Sequence, residues 1–224
     1  MNAGTGPGYR RRTVCPVGLI RTSSDGNLAL AAHYFDPVPG AASSRRTVEL
    51  ALPDLTVALE TDRGVFSGDR VDAGTKLLLL EAPAPPPTGD LLDLGCGYGP
   101  ITVALALRSP AARVWAVDVN QRALELTSRN ADRAGATNVT VGAPGVVPAD
   151  LRFAACFSNP PIRVGKNALH AMLAEWIPRC AIAYLVVNKN LGSDSLAAWM
   201  SGDHGWAVER LVSRMGYRIL AVTP

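Results

Sequence analysis

From Gly89 onward, short apolar runs alternate with longer stretches of helical period. Asp90-Leu-Leu-Asp-Leu94 predicts a short buried strand, and Ile101 to Leu107 predicts a helix directly behind a glycine turn. Val114-Trp-Ala-Val117 predicts a second strand, followed by apolar residues at helical spacing from Gln121 to Ala134 that stop at Gly135. Asn138–Val141 and Arg152–Phe157 predict the third and fourth strands, Lys166 to Trp176 a helix, and Ile182 to Val187 a fifth strand. Ala207–Val212 and Tyr217–Val222, joined through Gly216, predict a terminal antiparallel hairpin. Alternating strands and helices imply an α/β fold, a doubly wound and mostly parallel sheet with helices on both faces.

The first part of the chain has a different texture. Residues 1–32 mix Gly, Ser, Thr and Arg without a sustained period, which predicts a mobile extension; its Arg10-Arg11-Arg12 triplet reads as a solvated basic tail. Within residues 33–88, Thr47-Val-Glu-Leu50 and Leu55-Thr-Val-Ala-Leu59 flank a Pro53-Asp54 turn and predict a small β-hairpin. Asp72 can cap a helix through Leu80, which ends before the Pro83–Pro87 cluster. Residues 89–224 then form the expected core.

Composition narrows the class. With 224 residues, 48% hydrophobic and 18% charged, the chain has room for one sizeable domain plus an appendage. Cys15, Cys96, Cys156 and Cys180 lie far apart with no metal-ligand spacing, so they read as reduced thiols; no metal is expected. The longest apolar runs are far short of the ~20 residues that span a bilayer, and no apolar leader follows the arginines, so a cytoplasmic protein without membrane contact is expected. A net charge of +3 is too mild to announce a nucleic-acid binder and is compatible with one.

Candidate chemistry begins with Asp93-Leu-Gly95-Cys-Gly97-Tyr-Gly99, directly after a strand and before a helix. Glycines there permit positive φ and remove Cβ atoms, so a ligand can lie against the main chain. About twenty residues on, Asp118 closes the next strand, where a carboxylate can hold ribose hydroxyls. Asp93 beside the turn is awkward for a pyrophosphate and suits a cationic ligand such as one carrying an ammonium group. This stretch resembles the class I S-adenosylmethionine-dependent methyltransferases, whose Rossmann-like fold carries a seven-stranded, mostly parallel sheet. The resemblance implies that Asp93, Gly95, Gly97, Gly99 and Asp118 bind S-adenosylmethionine.

The second motif, Ser158-Asn159-Pro160-Pro161-Ile162, closes the fourth strand. A conjugated amine is a poor nucleophile because its lone pair is delocalised. The Asn159 amide oxygen and the Pro160 carbonyl, both accepting its N–H bonds, would fix the nitrogen and aim its lone pair at a methyl group, while the prolines hold the loop in place. The motif resembles the Asn-Pro-Pro-aromatic tetrad of amino-methyltransferases, with Asn159, Pro160 and Pro161 in the catalytic positions. Ile162 departs from it, standing where many relatives carry a stacking aromatic ring.

Arg63-Gly64-Val65-Phe66-Ser67, Arg70, Asp72, Gly74-Thr75 and Pro161-Ile162-Arg163-Val164-Gly165-Lys166 narrow the likeness. From His33 to its end the chain resembles single-domain members of the small-subunit ribosomal RNA guanine-N2 methyltransferase family. That implies transfer to the exocyclic N2 of a guanine in ribosomal RNA, 16S rather than 23S, with ribosomal RNA or a ribosomal subunit as partner. Phe66 would line the pocket and supply the aromatic face that Ile162 lacks, with Arg163 and Lys166 near RNA phosphates. The tetrad also permits methylation of a protein glutamine or a small molecule, and a module that binds the cofactor without turnover is the non-enzymatic alternative. Val141-Gly-Ala-Pro-Gly145 lacks the polar residue that usually meets the adenine amine.

Overall fold

The computed structural model describes residues 43–65 and 69–224, apart from the Arg163 side chain. The extension over residues 1–32, with its arginine triplet and Cys15, and Phe66 lie outside the described residues. Strands β1 (Arg46–Ala51) and β2 (Thr56–Thr61) pair as an antiparallel hairpin, followed by helix α1 (Ala73–Glu81). Then come β3 (Thr88–Leu94), α2 (Pro100–Arg108), β4 (Ala111–Val117), α3 (Gln121–Arg133), β5 (Val139–Gly142) and β6 (Ala155–Ser158). Helix α4 (Lys166–Trp176), β7 (Ala183–Asn188), α5 (Ser193–Asp203), β8 (Ala207–Arg214) and β9 (Tyr217–Thr223) complete the chain.

The main sheet has seven strands in the order β5-β4-β3-β6-β7-β9-β8, parallel except for β9, which runs antiparallel to both neighbours. This is the class I methyltransferase arrangement, with the small hairpin sheet beside it. Strand order reverses between β3 and β6, so their carboxyl ends splay open a crevice, the place where open α/β sheets take ligands.

Adjacent residues along each central strand pack on opposite faces of the sheet. Leu91, Val114, Tyr184 and Ile219 join the cluster formed with α1, α2 and the hairpin, while Leu92, Trp115, Leu185 and Leu220 join the one formed with α4 and α5. Val48, Leu50 and Leu59 of the hairpin and Leu77 and Leu78 of α1 belong to the first cluster, so the segment before the proline run shares one core with the sheet. Arg108 reinforces that contact: its guanidinium donates to both Asp54 oxygens at 2.7 and 2.8 Å and to the Leu79 carbonyl at 2.7 Å.

Two elements differ from the sequence expectation. Strand β6 begins at Ala155 rather than Arg152, because Phe153 reaches only an isolated bridge to Cys180. Helix α5 was not expected at all. Its buried apolar residues reduce to Leu196 and Met200, one helical turn apart among Ser, Asp and Gly, too sparse to stand out as a period.

Asn130, fully buried on α3, accepts from Glu60 N–H at 2.7 Å and donates to the Glu60 and Tyr98 carbonyls at 2.8 Å each. It thereby ties β2 to the glycine turn. Asn130→Ala leaves those groups unpaired and is expected to cost about 3 kcal/mol of stability. Urea denaturation measures this, and a loss below about 1 kcal/mol would show that water replaces the bonds.

Candidate active site

The glycine turn leaves β3 in a conformation that only glycine adopts freely, with φ of 77° at Gly95, 59° at Gly97 and 88° at Gly99. Each glycine has its own reason. A Cβ on Gly99 would stand 3.0 Å from Thr127, so that position serves close packing of α2 on α3. A Cβ on Gly95 would lie 3.7 Å from Pro161 Cδ, which shows how near the tetrad loop comes. Gly97 has nothing within 4 Å of its missing Cβ and leaves open room against the backbone.

The turn is held from β4. The N–H groups of Gly95 and Cys96 donate to the Val117 carbonyl at 2.8 and 3.1 Å, and Gly97 N–H donates to Asp118 Oδ2 at 2.9 Å. Asp118 Oδ1 accepts from Asn120 N–H at 2.9 Å, and Asn120 in turn donates to the Gly64 carbonyl at 3.1 Å. Residues 63–65 are thus brought beside the acid that closes β4.

Asp93 is fully buried. Oδ2 accepts from the Thr102 hydroxyl at 2.5 Å, while Oδ1 has no hydrogen-bond partner among the described residues. Burial, with a contribution from the Asp118 charge, pushes its carboxyl up to about 7. Burial also raises Asp118, against the N–H bonds it accepts. The Cys96 thiol goes well up through burial and both neighbouring carboxylates, so it is inert as a nucleophile. A carboxyl raised by burial is one whose charged form a nearby cation would stabilise, so the turn suits a positively charged ligand better than an anion.

The tetrad is strapped to this turn by Ser158, whose buried hydroxyl donates to the Leu94 carbonyl at 2.6 Å. Pro161 has φ −74° and ψ 76°, and Ile162 N–H donates to the Pro160 carbonyl at 2.8 Å, an inverse γ-turn. One lone pair of that carbonyl is therefore spent and one is left. Asn159 Nδ2 donates to Asp72 Oδ1 at 2.8 Å and to Thr75 Oγ1 at 3.0 Å. Its Oδ1 takes part in no hydrogen bond among the described residues.

The loop separates two clefts. Leu94, Gly95, Asp118, Val119, Pro144 and Pro161 line the first, about 250 Å³, whose other wall includes Val164, Met172 and Glu175 from the tetrad–α4 segment. Ile162, Lys166, His170, Leu191 and Ser195 line the second, about 200 Å³. Gly95, Asp118 and Pro161 thus meet around one space, with Ile162 and Lys166 around the other. Ile162 is half-buried and also packs on the cluster beneath α4. Arg163 keeps its place in a short 3-10 turn, Ile162–Val164. His170 and His204 stack on Trp199 and Trp206 and serve packing. Sequence reasoning missed the α4 wall of the first cleft and the partners of Asn159; Asp72 was recognised as a helix cap and, with Thr75, as part of the family likeness, but not as a partner of the tetrad.

The sequence profile described as the methyltransferase small domain matches residues 56–219. A Bacillus subtilis protein, the uncharacterized YbxB, is 35% identical over 172 residues, covering 74% of this chain and 86% of its own length. Ribosomal RNA small subunit methyltransferase C of Pseudomonas aeruginosa is 37% identical over 146 residues, 65% of this chain and 43% of that protein. The T. thermophilus 16S rRNA N2 methyltransferase RsmC, solved with AdoMet and guanosine, superposes with a TM-score of 0.65 at 22% identity, over 83% of this chain and 52% of that one, a likeness of fold. The chain thus spans less than half of the Pseudomonas aeruginosa protein.

The raised Asp93 carboxyl makes stability depend on pH. Between the ordinary carboxyl range and about 7 the folded state holds a proton that the unfolded chain has released, so stability falls as pH rises through that window and flattens above it. Asp93→Asn removes this slope. From pH 5 to pH 8 the variant is expected to gain about 2 kcal/mol relative to the parent by urea denaturation, whereas parallel curves would show Asp93 ionised throughout.

Proposed function

The chain belongs to the methyltransferase small domain family, and from that premise we propose that it methylates the exocyclic N2 of a guanine in 16S ribosomal RNA, using S-adenosylmethionine. The observation that carries the reading is Asn159: both amide protons are spent on Asp72 and Thr75, and its oxygen is unbonded among the described residues, in a tetrad whose Pro161 approaches Gly95 of the glycine turn. Ribosomal RNA as the substrate is supported by the likeness to ribosomal RNA small subunit methyltransferase C of Pseudomonas aeruginosa and to the 16S rRNA N2 methyltransferase of T. thermophilus.

The residues present fit the cofactor. Asp93 carries an orphaned buried oxygen and shares its field with Asp118, while Gly97 leaves its backbone uncovered. Gly95, Gly97, Asp93 and Asp118 would hold it, with Asp118 facing the ribose. Gly99 contributes by letting the turn pack on α3. No side chain with an acidic or polar end stands at Ala143 or Pro144, so the apolar Val119 and Pro144 would flank the adenine. The chemistry available from bound S-adenosylmethionine is a methyl carbon on a sulfonium: the acceptor lone pair forms the N–C bond, the S–C pair stays on sulfur, and the amine proton leaves to solvent.

The protein's own work is orientation. Asn159 Oδ1 and the free lone pair of the Pro160 carbonyl accept the two N–H bonds of the amine and fix its lone pair. Pro160 and Pro161 keep both acceptors in place before the substrate arrives. The second cleft, with Ile162 on one wall and Lys166 at its edge, is suited to the RNA side of the loop, and Arg163 belongs to the same stretch. Phe66 remains in the proposal as a ring contact at the acceptor base. A base stacked in a duplex cannot reach the methyl donor, so the guanine must be unpaired or flipped.

The decisive experiment is mass spectrometry of ribosomal RNA from cells with and without the gene, together with tritiated-methyl transfer to small subunits from the deletion strain. Methylated guanosine absent from the deletion strain supports the reading; label in protein instead of RNA would replace it with glutamine methylation. Asn159→Ala is expected to lower turnover by about 100-fold or more while S-adenosylmethionine binding persists in calorimetry. Asp118→Ala is expected to weaken that binding by about tenfold or more, since a charge-assisted contact is lost.

A further inference from the structure

Asp72 caps α1 and at the same time reaches across to the tetrad. Its Oδ1 accepts from Thr75 N–H at 3.1 Å and from Asn159 Nδ2 at 2.8 Å, while Oδ2 faces the Tyr217 hydroxyl at 3.4 Å. Thr75, buried one helical turn inside, places its hydroxyl oxygen 3.0 Å from the same amide nitrogen. We propose that Asp72 and Thr75 are positioning residues that decide which end of the Asn159 amide meets the acceptor amine. The proposal rests on the function assigned to Asn159 above.

The two ends of an asparagine amide have nearly the same shape and opposite hydrogen-bonding character. Flipped, Asn159 would present N–H donors to an amine that must donate, and the substrate would be repelled. An ionised carboxylate only accepts, so only the NH2 end can face Asp72. With one amide proton on Asp72 and the other on Thr75, the oxygen is left as the open acceptor. The bond to a carboxylate also polarises the amide and strengthens its oxygen, an effect enhanced where water is scarce. Neither residue needs to touch the acceptor. Each acts through Asn159.

A double-mutant cycle separates this role from simple capping. Asp72→Asn keeps the shape and remains a good helix cap, but it can offer its own NH2 and so permits the flip. Turnover of tritiated S-adenosylmethionine on small subunits from the deletion strain is expected to fall by about 10- to 100-fold, the worth of one hydrogen bond to a charged group. S-adenosylmethionine affinity is expected to stay within about twofold, so the loss appears in kcat. In an Asn159→Ala background the same substitution is expected to change the residual rate by less than about twofold, because there is no amide left to set.

Thr75 supplies a second route should Asp72→Asn fold poorly. The isosteric Thr75→Val is expected to lower kcat with cofactor binding intact, and Thr75→Ser to restore it. Equal losses from Asp72→Asn with and without Asn159 would reduce Asp72 to a structural cap and overturn the proposal. An inactive Asn159→Ala beside fully active Asp72→Asn and Thr75→Val enzymes would overturn it too, while leaving the function of Asn159 standing. Near-normal turnover by Asn159→Ala would remove the functional reading and this proposal together.

Discussion

A single contact, from the Asn159 amide to the Asp72 carboxylate, joins segments 87 residues apart in the chain and ties the tetrad to the start of α1. Its geometry depends on where α1 sits. Helix α1 is fixed by Leu77 and Leu78, which share a cluster with Leu91 and Val186 of the sheet, and by Arg108, which grips the Leu79 carbonyl and Asp54 together. The hairpin is tied in turn to the glycine turn through Asn130. A segment that looks like an appendage in sequence is therefore packed as a brace, and the orientation of one amide is the sum of those contacts.

The opposite side of the loop is governed by topology and charge. Reversal of strand order between β3 and β6 brings two strand ends together without any helix between them, and the Ser158–Leu94 bond closes the remaining distance. Into that crevice the fold places two acids, Asp93 fully buried with one oxygen unpartnered among the described residues, and Asp118 accepting from the N–H groups of Gly97 and Asn120. Such an arrangement costs stability in the free protein, which the fold tolerates because its two apolar clusters are large.

The sequence was a good guide where physics is local. Strand β3, the glycine turn, Asp118 at the end of β4 and the amphipathic α3 follow from alternation, turn chemistry and capping, and each stands within a residue or two of its expected place. Legibility failed where tertiary contacts decide. Strand β6 loses its first residues because Phe153 turns toward Cys180, and α5 rests on two apolar residues that join a cluster with residues of α4, β7 and β9. The Asn159–Asp72–Thr75 arrangement was invisible for the same reason. Asp72 and Thr75 look like an ordinary helix start, and nothing in spacing reveals what lies across from them. The family resemblance supplied the tetrad's role, but the partner that orients it required coordinates.

The arrangement also bears on whether this loop merely accompanies a cofactor site. A protein that only bound a sulfonium nucleoside would need the glycine turn and its acids, and the loop beyond β6 could have any polarity. Here acceptors are left open while several donors are taken up. Pro160 and Pro161 carry no N–H, those of Ile162 and Val164 are spent inside the loop, and both amide protons of Asn159 are spent behind it. Among the described residues the Asn159 amide oxygen and one lone pair of the Pro160 carbonyl are left as acceptors, with the Asp72 carboxyl one bond further back. That edge suits a group with two protons to give, and it suits the same group better once its nitrogen has gained positive charge, as an amine does while it is being methylated. A hydroxyl has only one such proton and a carboxylate none, so under the proposed function this edge would favour an amine over either.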